Sequence, residues 1–248
     1  MIQKKTAVIR FFSNAQVFLS FVCAASQKNE TVVLRTFHSP RDNRRLGYVR
    51  IWEACRATSA AQGFFDPIAI PPGNGSELFT DGGIRANNPV KEVWSEACDI
   101  WATDASVPQD VQLRARLKCL VSIGTGRPDL TTYSTSLKGV MKVLTKIATD
   151  TEAIAEGFVR DKPELVSESR YFRFNVERGL KGIGLDECDR LSDITSATAA
   201  YVDTHIVFSS LQSCAAALVA KPMQIAIRAR DPNTNTNREF PIHRVPLL

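Results

Sequence analysis

The sequence predicts an α/β fold, in which short strands alternate with amphipathic helices. Two observations carry this prediction. Cys119–Ile123 is a continuous apolar run of strand length, typical of a strand buried on both faces. Residues 90–101 carry one apolar stripe at helical spacing, formed by Val90, Val93, Trp94, Ala97, Ile100 and Trp101. With 248 residues, 44% hydrophobic and 23% charged, the composition excludes collagen-like, coiled-coil and wholly disordered chains.

The remaining elements follow from the same patterns. Strands are predicted at Val17–Ala25, most clearly at Phe21–Ala25, and at Thr31–Phe37, Leu78–Thr80 and Tyr171–Phe174. Helices are predicted at Val49–Ala61, ended by Gly63, at residues 89–101, with Asn88 as N-cap and Pro89 as first helical residue, at residues 137–147, and at Ile194–Val219. Residues 39–46 have loop composition. The two tryptophans of the 89–101 helix are expected in the core rather than on a membrane-inserting face.

This pattern divides the chain into three parts. Residues 1–16 receive no assignment, residues 17–220 form the α/β domain, and residues 221–248 form a polar tail with one possible strand at residues 224–230. Lys4, Lys5 and Arg10 followed by the apolar stretch of residues 17–25 also fit a signal peptide. A buried strand is the interpretation we favour for that stretch.

Charge and cysteine content narrow the class of protein. The net charge is +5, and nine Lys or Arg against two Asp or Glu fall in the first fifty residues. No basic run with interleaved aromatics indicates nucleic-acid binding. The basic end fits either a solvated face without a partner or attraction to anionic lipid headgroups. Six scattered cysteines without a C-x-x-C pair predict neither a zinc site nor a disulfide framework, and favour a reducing, cytoplasmic compartment.

Asp81 is the leading candidate for chemistry. It ends a short apolar strand and is followed at once by Gly82 and Gly83. In α/β sheets ligands bind outside the carboxyl ends of strands, and glycines let the backbone approach a substrate or another segment closely. Asp-Gly-Gly is also a common turn tripeptide, so the surrounding sequence has to distinguish a catalytic aspartate from an ordinary turn. His38, His205 and His243 are isolated, and no metal or organic cofactor is predicted.

Four spaced blocks supply that context. They are Ile51–Ala61, Phe64–Ile68, Asp81–Val90 and Ser122–Gly126, in this order. Together they resemble the patatin-like phospholipase family over approximately residues 21–218, with Gln62 standing where the family usually has proline. The resemblance implies a three-layer α/β/α fold and hydrolysis of lipid acyl esters, at a membrane surface or elsewhere, by a Ser-Asp dyad in which Asp81 is the base. It also supports the strand interpretation of residues 21–25 over a signal peptide.

One part of the family pattern is missing. The chain contains no G-x-S-x-G nucleophile motif and no glycine-rich oxyanion turn, since Ser122 has Leu120 at −2 and Ser76 has Asn74 at −2. We therefore expect the C-terminal part of such a domain, incomplete at its N-terminal side, without dyad activity of its own. A non-catalytic fragment or pseudoenzyme that binds lipid or protein is the alternative. The oligomeric state is not indicated.

Two further expectations follow. Gly124-Thr125-Gly126 after a buried strand suggests a nucleotide-binding turn, but Asp129 replaces the third glycine of G-x-G-x-x-G, which disfavours that function. A sheet that lacks its nucleophile-bearing strand should expose an unpaired edge or an apolar face, which predicts poor solubility.

Overall fold

The computed structural model describes most of the chain's central part and shorter segments at both ends. The described residues are 6–11, 21–26, 30–37, 39, 49–61, 64–71, 76–127, 151–180, 183, 188–219, 227–230 and 237–240. The predicted helix at residues 137–147, Gly63 and nearly all of the predicted loop at residues 39–46 lie outside them.

Helices and strands are mixed along the chain, which confirms the α/β class. The strands are β1 (Thr6–Phe11), β2 (Phe21–Ser26), β3 (Thr31–Arg35), β4 (Ile68–Ile70), β5 (Glu77–Asp81), β6 (Leu117–Ile123), β7 (Tyr171–Phe174), β8 (Ile227–Arg230) and β9 (Asn237–Phe240). The helices are α1 (Ile51–Ala57), α2 (Gly83–Ala86), α3 (Val90–Trp101), α4 (Gln109–Arg116), α5 (residues 151–161), α6 (Pro163–Ser167), α7 (Leu191–Val202) and α8 (His205–Val219).

Strand β6 lies at the centre of one sheet. It pairs with β1 in antiparallel and with β7 in parallel orientation. One face is covered by helices α3 to α6, whose core includes Val90, Trp94, Leu113, Phe158 and Leu165 together with Leu117, Leu120 and Tyr171 of the sheet. On the other face, Cys119 and Phe172 pack against Cys214 of α8. Helices therefore cover both faces of β6 and β7, as the apolar run predicted.

A second sheet carries the predicted candidate residue. Its strand order is β3-β2-β5-β4, and all its pairings are antiparallel. Ala24, Leu34, Phe79 and Ile70 form its core with Ala57 of α1. The strands expected at residues 31–37, 78–80, 119–123 and 171–174 are thus confirmed, with boundary shifts of one to a few residues. Of the strand expected at residues 17–25, the part from Phe21 is confirmed, and residues 17–20 lie outside the described residues.

Helix α1 is shorter than expected and ends at Ala57. Polar side chains after it bind its last carbonyls: the Thr58 hydroxyl donates to Ala54 O at 3.0 Å and the Ser59 hydroxyl to Cys55 O at 2.6 Å. After Thr58 the backbone donors bind carbonyls three residues back, Ser59 N to Arg56 O and Ala60 N to Ala57 O, both at 3.3 Å, and the α-helical pattern ends there.

Helix α3 has the predicted stripe, but its start was predicted one residue early. Pro89 occupies the N-cap position, and Asn88 Oδ1 accepts a 3.3 Å hydrogen bond from Val90 N. The short helix α2, in the turn after Asp81, was not predicted. It forms because Gly82 O accepts from both Arg85 N and Ala86 N.

The expected long helix over residues 194–219 is two helices. They meet at Asp203 and Thr204, where the Thr204 hydroxyl donates to Tyr201 O at 2.8 Å, and their axes differ by 80°. Within the described ranges no single helix has the length and hydropathy of a membrane span, although α7 and α8 together pass by length and composition alone. Strand β8 lies in the predicted tail, where it pairs with β9, and β1 lies in the unassigned N-terminal segment.

Candidate functional site at the end of strand β5

Asp81 is the last residue of β5, as predicted, and two other segments contact its backbone. In the sheet register it lies opposite Ala24 of β2. Its N–H donates to Ala60 O, just beyond α1, at 3.0 Å. Its side chain is half-buried at this end of the strand. The backbone of Asp81 is thereby held by contacts with residues far away in the sequence.

The two glycines have different tasks. A Cβ on Gly82 would lie 2.3 Å from Cys23 O of the neighbouring strand, so only glycine fits although its φ of −67° suits any residue. Gly83 N donates to Asp81 Oδ1 at 2.6 Å and starts α2. The first glycine lets the turn pack on β2, and the second orients the carboxylate.

Asn87 and Asn88 connect this turn to helix α5. Asn87 Nδ2 donates to Thr151 Oγ1 at 2.9 Å, and Asn88 Nδ2 donates to Thr151 O at 3.3 Å. Thr151 is 1% exposed, so the connection is a buried one. Both asparagines belong to the sequence block Asp81–Val90. Thr151 was not predicted, because nothing in the sequence around Thr151 indicates a contact with a distant turn.

A second polar group surrounds the turn at Gly124–Gly126, and Glu152 is at its centre. Its Oε1 accepts from Arg173 at 2.6 Å and from Asn175 Nδ2 at 2.9 Å, and its Oε2 accepts from Arg127 at 2.9 Å. Asn175 Oδ1 accepts from Gly126 N at 2.7 Å. Because Thr151 and Glu152 are adjacent, the structure brings two of the four sequence blocks onto one helix, α5.

This arrangement argues against nucleotide binding at Gly124–Gly126. The N–H of Gly126 binds Asn175, and the N–H of Gly124 donates to Phe174 O at 2.7 Å. A Cβ on Gly124 would lie 2.1 Å from Asn175 Oδ1. These glycines make room for a side chain of the protein, and their two amides are not directed at a phosphate.

Glu152 is ionised across a wide pH range. Burial raises the pKa of this carboxyl, but the hydrogen bonds and positive charges of Arg173 and Arg127 outweigh burial and hold the pKa below its ordinary value. Its side chain is 21% exposed, so solvent partly screens the pairs.

Two side chains near this site, the Ser122 hydroxyl and the Cys23 thiol, are not activated as nucleophiles. Ser122 is buried and its hydroxyl accepts a 2.9 Å hydrogen bond from Arg173, a cation that cannot act as a base. Burial and the charges of Glu92 and Glu96 raise the pKa of the Cys23 thiol, below the Gly82 turn, to about 12. That thiol is protonated at neutral pH and is not a nucleophile.

The other side-chain clusters suggest no metal chemistry. Among the residues described, no group of three or more His, Cys, Asp or Glu is arranged to hold a metal ion. Five cysteines, Cys23, Cys55, Cys98, Cys119 and Cys214, are free thiols.

Comparison with known proteins gives a consistent result. The family profile described as "Patatin-like phospholipase" matches residues 6–94. "Calcium-independent phospholipase A2-gamma" of Mus musculus is 34% identical over 165 residues, which are 63% of this chain and 19% of that protein. Its Homo sapiens counterpart is 36% identical over 142 residues, 56% of this chain and 16% of that protein.

A plant protein matches as well. "Phospholipase A I" of Arabidopsis thaliana is 30% identical over 142 residues, 56% of this chain and 10% of that protein. The matched region thus spans at most 19% of the length of these three relatives.

Proposed function

We propose that this chain, whose residues 6–94 belong to the patatin-like phospholipase family, supplies the base of a lipid acyl hydrolase. Asp81 is that base in our proposal. The observation that carries it is the placement of the Asp81 carboxylate, which ends β5 at the sheet edge and is oriented by the Gly83 N–H at 2.6 Å. The relatives named phospholipases support ester-linked lipids as the substrate class.

In the proposed reaction Asp81 moves a proton. The carboxylate accepts the proton of a serine hydroxyl as the serine oxygen attacks the acyl carbonyl. The proton then passes to the departing lipid alcohol, and an acyl-serine ester remains. Water attacks this ester, Asp81 accepts the water proton, and the fatty acid leaves as the serine recovers its hydrogen. No histidine is needed in this sequence of steps.

The serine of this proposal lies outside these 248 residues. Ser122 contacts Arg173, and no serine here has glycines at both −2 and +2. Hydrolysis would therefore require a longer form of the protein or a second polypeptide.

A fluorophosphonate probe, which labels activated serines, tests this proposal. We expect no stoichiometric labelling of the 248-residue chain. Where the reading frame continues upstream into G-x-S-x-G, we expect the longer protein to be labelled and to hydrolyse phospholipid esters.

Asp81→Asn should then reduce kcat by at least about a hundredfold, since a general base contributes a factor of about 10²–10⁴ to the rate. Asp161→Asn, at an exposed aspartate at the end of α5, is the matched control and should leave hydrolysis unchanged. Strong labelling of the short chain, or full activity of Asp81→Asn, contradicts the proposal.

A non-catalytic module that binds lipid or protein is the second candidate. The absence of a G-x-S-x-G motif from the chain favours it. A natural start at Met1, together with lipid binding but no hydrolysis in any form of the protein, would select this function over the hydrolase.

A further inference from the structure

An apolar surface surrounds the exposed side of helix α1. We call it the α1 surface and define it by Ile51, Trp52, Cys55, Phe64 and Phe65. Ile51 is 79% exposed, Trp52 57%, Phe64 40% and Phe65 50%. Single exposed apolar residues are ordinary, but four large ones within fifteen residues of sequence mark an interaction site.

Helical spacing and Arg56 connect parts of this surface. Ile51, Trp52 and Cys55 share one side of α1 because residues three and four positions apart are neighbours on a helix. The opposite side, with Glu53 and Ala57, is buried. Arg56 connects the helix to the following loop, since its guanidinium lies 5.5 Å from the centre of the Phe65 ring and donates to Asp66 O at 2.7 Å.

The border of the α1 surface is basic. Arg50 is exposed at the start of α1 and Arg56 lies at its edge. Glu53 faces inward, where its carboxylate accepts from Arg50 N at 2.8 Å, so Asp66 is the one exposed acid that the described residues place beside the surface. Aromatic and aliphatic groups bordered by cations complement the interface of an anionic lipid bilayer.

The α1 surface lies close in the chain to a contact of the candidate site. Ala60, three residues after α1, accepts the hydrogen bond of the Asp81 N–H at 3.0 Å. Docking at α1 would therefore bring the end of strand β5 near the membrane.

We propose that the α1 surface docks on anionic lipid bilayers, with Trp52, Phe64 and Phe65 at the boundary between headgroups and acyl chains. The proposal rests on the proposed function, because it supplies the membrane contact that a lipid hydrolase needs. Helices α7 and α8 are the rival surface. They expose Ile206 at 82%, Phe208 at 51% and Val219 at 83%, but residues 191–219 contain no Lys or Arg, and Arg190, which precedes them, is paired with Asp193.

Tryptophan fluorescence with vesicles tests the docking directly. The chain has three tryptophans, and Trp94 and Trp101 belong to the core between α3 and β6. An emission change on membrane binding therefore reports Trp52. Ether-linked phosphatidylcholine vesicles with and without phosphatidylserine are the probe, because ether lipids cannot be hydrolysed by an acyl esterase.

We expect the emission to shift to shorter wavelength with anionic vesicles, less with neutral ones, and the shift to weaken in high salt. Trp52→Phe should remove the shift but keep most of the binding seen by co-sedimentation. Trp52→Ala combined with Phe65→Ser should reduce the partition coefficient about tenfold or more, in line with the loss of two buried aromatic side chains. The matched control, Ile206→Ser with Phe208→Ser, should bind as the unmodified chain does.

Four results would overturn the proposal. The first two are the absence of an emission shift with anionic vesicles and a loss of vesicle binding that occurs only in the α8 control pair. The other two are a Trp52 emission that acrylamide cannot quench in the absence of lipid, and variants of the α1 surface that dissociate an oligomer without changing vesicle binding. Because binding is measured without hydrolysis, a failure here leaves the role of Asp81 untouched. Conversely, an inactive enzyme that still docks refutes only the hydrolase.

Discussion

Gly82 is required by a steric contact and not by its backbone conformation. Its φ of −67° is open to every residue, yet a Cβ would lie 2.3 Å from a carbonyl oxygen of β2. The Asp-Gly-Gly sequence suggested both a turn and a close approach, and the close approach is what the structure has. The partner, Cys23, is not visible from the motif because the two residues meet only through the sheet.

We predict that Gly82→Ala lowers the free energy of unfolding by about 1–3 kcal/mol, the usual cost of inserting a methyl group into a packed site. Gly157→Ala in helix α5 is the matched control, since the nearest atom to its Cβ would be the mobile Lys91 Nζ at 3.8 Å. That substitution should raise stability by about 0.5–1 kcal/mol through better helix propensity. Urea unfolding followed by circular dichroism measures both values, and equal effects would refute the steric argument.

Glu152 gives a prediction about pH. Since its pKa in the folded protein lies below the ordinary value of 4.5, its ionised form stabilises the fold above that pH, and the contribution is lost as the pH falls through the folded-state pKa. Glu152→Gln should therefore cost about 1–3 kcal/mol near pH 7, a range typical of hydrogen bonds to charged groups, and the deficit should shrink in acid.

The control for that substitution lies one turn along the same helix. Glu156 is exposed, and Glu156→Gln should change stability by less than about 0.5 kcal/mol. Unfolding curves at several pH values provide the comparison. A Glu152→Gln deficit that is constant from neutral to acid pH would show that ionisation is not its source.

At the scale of elements, hydrophobic periodicity predicted the parts of the fold that bury large side chains. Strand β6 and helix α3 were found in this way because a continuous apolar run and a helical stripe each leave a signal within a few residues. Helix ends were less predictable. At the end of α1 and at the break between α7 and α8, Ser59 N and Thr204 N donate to carbonyls three residues back, a change that the residue types there do not signal.

Strand β6 allows a direct test of burial. Leu120 of β6 is fully buried in the core that the strand shares with α3, whereas Ile123 of the same strand is 47% exposed. We expect Leu120→Ala to lower the free energy of unfolding by about 2–5 kcal/mol. Ile123→Ala should cost less than about 1 kcal/mol, because its side chain is already half in water. Comparable losses at the two positions would contradict the assignment of β6 as a strand covered by helices.

The candidate site was predictable only in part for a related reason. Asp81, Gly82 and Gly83 form a contiguous motif, so the sequence alone locates them on a strand end. Thr151 and Glu152 have no motif of their own, and their importance arises from side chains that reach them from other elements. Long-range polar contacts of this kind leave no periodic signal in a single sequence.

Considered as a whole, the molecule exposes apolar area on two separate surfaces. The α1 surface has a basic border. The second surface is formed by α7 and α8, in which Cys214 is the one buried side chain among the described residues. We predict that the isolated chain self-associates through α7 and α8 as its concentration rises. Light scattering should show this association, and Ile206→Ser with Phe208→Ser should weaken it at least severalfold. A chain that stays monomeric at high concentration would refute this prediction and the poor solubility expected from the sequence.

The hold that Ala24, Ala60 and Gly83 have on Asp81 has a consequence for how such a carboxylate can change during evolution or engineering. Asp81 is held by β2, by the segment after α1 and by the start of α2, so its position depends on contacts in three separate stretches of sequence. A substitution in one of these stretches leaves the other two contacts in place.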